Sequence, residues 1–304
     1  MIKKNKLSFG LPIIAGLITI LFLWASSQEE KRTLLPLVTP AFNDGKIISP
    51  DTSRALTELF AAQGYDLRGV RMSKTTVPRL YVESLPQDLP HLVDVKKRKE
   101  IFVQTVLPLA LAVNEELRSH QEALQKIRAL SRPLTTEELD WLNKISATHK
   151  ITHPDLERLL KQIAPLPVEL ILAQAAVESG WGTSRFALEG NALFGQWTWE
   201  PGAGIIPSGR GDGETHAVRA YPRLIDSVWD YANNLNTSLA YKDFRDARAR
   251  RLQLGKPLAA LPLIETLEKY SQKGQDYLEV LEDIIEQNDL TPLNNAQLAK
   301  DKTD

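Results

Sequence analysis

Between residues 167 and 179 the chain reads PVELILAQAAVES. Apolar and small side chains fall on every side of that helical run, so it is stable only when other elements surround it. Any fold of this chain must therefore put this helix near its centre. The run ends on Glu178-Ser179 and continues into Gly180-Trp181-Gly182. On the helix, Glu178 shares a face with Ile171, Gln174 and Ala175. Such neighbours desolvate a carboxylic acid and raise its pKa toward neutrality. That is the state a general acid needs in order to protonate a leaving oxygen. The partial negative charge of the helix C-terminus acts in the same direction. The two glycines permit a sharp turn and a close approach to the backbone. The plainer alternative is a solvated helix terminus, and spacing alone does not separate the two readings.

The rest of the chain limits where such an acid would work. There is no cysteine among the 304 residues, which excludes disulfide scaffolds, thiolate zinc sites, cysteine nucleophiles and a lipid-modified cysteine anchor. The formal charge is −1, with acids and bases interspersed, so no basic face marks a nucleic-acid protein. Lys3, Lys4 and Lys6 precede residues 7–25, LSFGLPIIAGLITILFLWA, which carry no charge. A basic segment followed by an apolar one is an export signal. Cleavage after the small residues near Ala25-Ser26-Ser27 and retention as a membrane anchor both fit its length. In either case residues 28 onward lie on the outer side, and the expected location is the periplasm or cell envelope.

Residues 26–50 are polar, dotted with proline, and read as a tether. Helical periodicity begins at Asp51, and residues 70–85 have the β-branched character of a short strand. A long helix is expected over residues 92–130, kinked or broken at Pro108. Thr135 and Glu138 form a capping box for the next helix. Another helix is expected from about Thr152, with Pro154, Asp155 and Glu157 in its first turn. The glycine-rich residues 193–222 suit a small β-hairpin lobe. Four further helical segments follow, and a polar tail begins near Asn288. The expected fold class is mainly α (α+β), a helical domain with one small β lobe. The expected divisions are residues 1–27 (signal or anchor), 28–150 (N-terminal helical region), 151–288 (catalytic-type domain) and 289–304 (tail), the two larger parts packed together.

The string AQAAVESGWGTSRFALEGNALFGQW, residues 173–197, resembles the signature of the glucosaminidase domain of glycoside hydrolase family 73. The matching positions are Ala173, Gln174, Ala176, Glu178, Ser179, Gly180, Trp181 and Gly182, then Asn191, Leu193, Phe194 and Gly195. Elsewhere, VPRLYVESLPQDL, KKRKEIFVQTVLPLALAVNEEL, GIIPSGRGDGETHAV and NLNTSLAYKDFRDAR resemble a group of bacterial peptidoglycan-hydrolase-like proteins. The resemblance implies a lysozyme-like fold, with Glu178 as the general acid in cleavage of the β-1,4 bond after N-acetylglucosamine. The implied partner is the peptidoglycan glycan strand, with a membrane contact through the N-terminal segment if that is uncleaved. It also implies a second carboxylate on the hairpin, but the strand AGIIPSG carries none. Glu214 is the favoured candidate, then Asp212, with Glu200 also available. The alternative is that the substrate's own acetamido group acts as nucleophile. Tyr241, in LAYKDF, matches a tyrosine that lines the family's site, and a core aromatic is the other reading. Gln174, Trp181, Asn191, Phe194, Trp197, Arg210, Asp212 and His216 are the expected substrate-binding set.

Three signals carry less. Arg210-Gly211-Asp212 lies in a glycine-rich turn without the strand–helix context of a dinucleotide loop. His149 and His153 are separated by a helix start, so no metal and no cofactor are expected. Arg245, Arg248, Arg250 and Arg251 read as a solvated helix face. Two alternatives accompany the hydrolase reading. One is a lytic transglycosylase, which also uses one glutamate. The other is a wall-binding scaffold whose site has decayed.

Overall fold

The computed structural model describes residues 35–300 except Asp212. The basic and apolar N-terminal stretch lies outside the described residues. Among those described, no helix is long and apolar enough to cross a membrane. The chain is mainly helical, with two small sheets.

The N-terminal half begins with β1 (Lys46–Ile48), α1 (Ser53–Ala62), α2 (Leu67–Arg71) and β2 (Leu80–Val82). Strands β1 and β2 pair in parallel, Lys46 opposite Leu80. The strand expected over 70–85 is therefore confined to its last part. Asp66 turns the earlier part helical by accepting the N–H groups of Arg68 and Gly69. Residues 35–45 are fastened rather than loose. The Pro36 carbonyl accepts Trp141 Nε1 (2.7 Å), the Leu37 carbonyl meets His120 Nε2 (2.6 Å), and Phe42 is buried.

Helix α3 (Val95–Arg128) runs unbroken through Pro108, and every residue from 101 to 114 is buried. Pro108 removes one helical donor, but enclosure on all sides outweighs one lost hydrogen bond. Thr135 and Glu138 cap α4 (Thr136–Thr148) reciprocally, as the sequence indicates. The next helix, α5 (Leu156–Gln162), starts later than expected because Asp155 serves as its N-cap, accepting Arg158 N–H at 3.0 Å.

The all-apolar run is α6 (Val168–Ser179), buried at every position from 168 to 176. Its start is held by Asn114 of α3, which donates to the Leu166 carbonyl (2.8 Å) and accepts the Leu166 N–H (2.9 Å). Beyond it lie α7 (Arg185–Gly190) and the β lobe, made of β3 (Trp197–Thr198), β4 (Gly204–Ile205) and β5 (Ala217–Arg219). The lobe is antiparallel in the order β3-β5-β4. Helices α8 (Leu224–Thr237), α9 (Lys242–Gln253), α10 (Leu261–Ile264) and α11 (Gln275–Gln287) complete the helical half. Helix α6 packs against both α3 and α11. One hydrophobic core runs from Phe42 to Leu298 across the expected boundary near residue 150.

Two further expectations are overturned. The segment after Asn288 is not a free tail. Leu290 and Leu293 are fully buried, and Val77 exchanges backbone bonds with Gln297 and Ala299, each 2.8 Å. Nor do all four arginines of α9 form a solvated face. Arg245 and Arg248 are buried. Arg248 donates to the carbonyls of Lys161, Gln162, Ala164 and Pro165, tying α9 to the end of α5. It also donates to Asn236 Oδ1 at 2.8 Å, so charge in the sequence hid a group held by buried carbonyl oxygens.

Candidate active site

Glu178 is the penultimate residue of α6, and the turn after it is built by its neighbours. Ser179 Oγ donates to the Ala175 carbonyl (2.5 Å) and accepts the Gly182 N–H (2.8 Å). Gly180, Trp181 and Gly182 all adopt left-handed backbone, with φ of 59°, 60° and 77°. Trp181 is the costly member, since its side chain disfavours that region. A Cβ on Gly182 would stand 2.8 Å from Leu85 and 2.9 Å from Phe102. The close approach for which this glycine is needed is thus made by the protein's own N-terminal half.

Glu178 itself is half-buried. Its Oε1 accepts the Tyr277 hydroxyl at 2.8 Å. Gln174 Nε2 donates to the same hydroxyl oxygen (2.9 Å), while Gln174 Oε1 accepts the Tyr231 hydroxyl (2.5 Å). The result is a directed relay, Tyr231 to Gln174 to Tyr277 to Glu178. Burial holds the Glu178 pKa above the usual carboxylate value. The Tyr277 hydrogen bond and the Lys273 ammonium oppose this more weakly. Tyr270 stacks on Tyr277 (5.6 Å, 9°) and lies 5.8 Å from the Tyr241 ring. Burial pushes the hydroxyl pKa of Tyr231, Tyr241, Tyr270 and Tyr277 up, and the charge of Glu178 adds to the effect in all four. The acid therefore sits in a cage of neutral phenols that can donate hydrogen bonds but not protons.

The other sequence candidates divide into three groups. Tyr241 joins this cage, 8% exposed and within reach of the Glu178 charge. Gln174, Phe194 and Asn191 lie behind the surface instead of on it. Gln174 is fully buried and holds two tyrosines, so it positions Tyr277 and has no face for a substrate. Phe194 is buried and stacks on Tyr231 at 3.9 Å and 11°. Asn191, at φ 52°, donates to the carbonyls of Tyr221 and Pro222 and so fastens the β lobe to α7. Trp181 is also turned from its expected place. Its ring meets Phe102 of α3 edge-on at 5.8 Å, with the Lys99 ammonium 4.5 Å above it.

The lobe supplies the third group. Trp197 and Trp199 are both exposed, with ring centroids 6.2 Å apart at 71°. His216 stacks on Trp197 at 4.3 Å and 19°, and Arg210 donates to the His216 carbonyl at 3.1 Å. Glu214 is exposed, accepts the Gly211 N–H at 3.0 Å, and lies 3.8 Å from His216 Nδ1. Glu200 is exposed beside β3, and Asp212 lies outside the described residues. The groups that shift Glu178 electrostatically are Tyr277 and Lys273, with no carboxylate among them in the described residues.

Sequence reasoning missed Tyr231, Tyr270, Tyr277 and Lys273. No local pattern marks them, because they converge from three separate segments. The one available signal was a set of tyrosines at otherwise apolar helical positions.

Comparison with known proteins agrees with this geometry. Residues 153–290 match the glucosaminidase family model, described as mannosyl-glycoprotein endo-beta-N-acetylglucosaminidase. The matched span contains Glu178, the β lobe and all four caging tyrosines. Protein bax of Escherichia coli strain K12 is 29% identical over 200 residues, covering 64% of this chain and 70% of that protein. No solved structure matches the chain significantly.

Proposed function

With a glucosaminidase domain at residues 153–290 as premise, we propose that this protein hydrolyses the β-1,4 glycosidic bond after N-acetylglucosamine in peptidoglycan, with Glu178 as general acid. The observation that carries this is the half-buried Glu178, held above its ordinary pKa by desolvation and aimed by the Tyr277 hydroxyl. Protonated Glu178 donates to the leaving oxygen as the glycosidic bond breaks, and the sugar passes through an oxocarbenium-like state. Tyr277 stabilises the carboxylate that results. The exposed rings of Trp197 and Trp199 offer apolar faces to sugar rings on the lobe side.

The second half of the reaction needs a nucleophile. Glu214 remains one candidate. Its carboxylate is engaged at the hairpin tip by Gly211 and His216, which favours the other candidate, the substrate's 2-acetamido oxygen closing on the anomeric carbon. The export signal at the N-terminus supports action in the cell envelope.

Incubating the full-length protein with purified sacculi tests the reading. Wild type should release fragments with reducing N-acetylglucosamine ends, and Glu178→Gln should not. Equal release by both proteins rejects Glu178 as the acid. The second reading is a lytic transglycosylase, which also uses one glutamate and whose products would carry 1,6-anhydro-muramic ends instead. Binding to sacculi with no release would mark a wall-binding protein.

A further inference from the structure

The N-terminal half shares a cavity of about 460 Å³ with the turn that follows the acid. Trp181 and Val103 give it apolar surface, with Leu67 beside them, and Arg68, Lys96 and Lys99 give it positive charge. Resting on the proposed reading of the site, we propose that this cavity binds the acidic stem peptide of the same peptidoglycan substrate.

Charge accounting supports an anionic ligand. The three acids around the cavity are already committed. Asp66 caps α2, Glu100 pairs with Lys97, and Asp289 pairs with Arg71. Arg68 and Lys96 are exposed and have no ion-pair partner among the described residues. Lys99 contacts only neutral groups, Asn288 Oδ1 at 3.1 Å and the Trp181 ring. Four cations (Arg68, Arg71, Lys96, Lys99) against three acids (Asp66, Glu100, Asp289) therefore leave a net positive charge beside an indole face. A stem peptide has complementary chemistry, bringing carboxylates together with alanine methyl groups. A neutral sugar would leave the cations unused.

Position supports the same conclusion. Tyr277, which touches Glu178, stands at one end of α11, and Asn288, which touches Lys99, caps the other. Eleven residues make about three helical turns, so both lie on one face of α11, roughly 16 Å apart. That is a span a stem peptide can cover from a sugar seated at Glu178. The strained backbone at Trp181 has a reason here, since φ of 60° turns the indole away from the acid and into the cavity. The N-terminal half thus forms part of the substrate surface as well as supporting the catalytic helix.

The test is direct binding of a soluble stem tetrapeptide to the full-length protein, followed by NMR or calorimetry, with a matched neutral peptide as control. Wild type should bind the acidic peptide alone, with affinity falling as salt rises. Arg68→Glu/Lys96→Glu should lose about tenfold in affinity, while Lys256→Glu, an exposed lysine elsewhere, should change nothing. On sacculi the double variant should raise KM and leave kcat unchanged, and on glycan strands stripped of peptides it should match wild type. No binding by wild type, or equal binding by the double variant, overturns the proposal whether or not the protein cleaves glycan. Peptide binding without cleavage would leave this cavity assigned and reject the hydrolase reading instead.

Discussion

Two regions of the molecule, the helical cluster around Glu178 and the β lobe, are built on opposite principles. In the helical cluster, Glu178, Tyr277, Gln174 and Tyr231 form an unbroken chain of hydrogen bonds in a largely dry setting. On the lobe, Trp197, Trp199 and Glu214 are exposed, and short strands hold them. The first holds the Glu178 pKa above its usual value. The second presents ring faces and leaves its carboxylate hydrated. Under the proposed function, electrostatic work would fall to the ordered region and substrate contact to the open one.

Substitutions in each region should separate those duties. Glu178→Gln should lower kcat by about a hundredfold to ten-thousandfold, the range general acid catalysis supplies. A smaller loss, read from fragment release, would move the acid elsewhere. Tyr277→Phe should lower kcat by about tenfold, roughly one hydrogen bond to a charged group. It should also shift the pH profile in a defined direction. Tyr277 favours the ionised form of Glu178, so its removal raises that pKa, and the alkaline limb of kcat moves to higher pH. A limb that stays in place would show that Tyr277 acts only as packing.

Trp197→Ala should raise KM about three- to tenfold with kcat nearly intact. A fall in kcat would mean that the lobe also aims the substrate. The smallest effect concerns stability. Burial raises the Glu178 pKa in the folded state, so stability from its protonated form is full below the unfolded pKa and is lost as pH rises through the folded value. Glu178→Gln should therefore melt slightly higher than wild type at neutral pH, a gap that closes below about pH 4. An equal gap at both pH values would trace the effect to something other than ionisation.

The readable parts of the sequence were those in which local pattern and tertiary role coincide. The buried helix, its glutamate, the Thr135–Glu138 capping box and the glycine-rich lobe all show themselves within a dozen or so residues. Features assembled across distance were not readable. Nothing near Tyr277 or Tyr231 announces that they meet at Gln174. Arg248 looked solvated because charge is usually exposed, yet it is buried against backbone carbonyls of another segment and the side chain of Asn236. Phe194 and Asn191 sat correctly in the motif, but motif membership did not tell contact with a ligand from support behind it.

The pairing of Val77 with Gln297 and Ala299 joins parts of the chain separated by over 200 residues. Its consequence lies in the order of assembly. A growing chain makes the N-terminal half long before the segment that pairs with it, so Val77 waits unpaired while the intervening residues are made. Contacts of such long range carry a large loop-closure entropy and form late. Loss of residues 295–300 would spare Glu178 and its four tyrosines yet remove both partners of Val77, and quality-control proteases would meet such a chain first at that exposed edge.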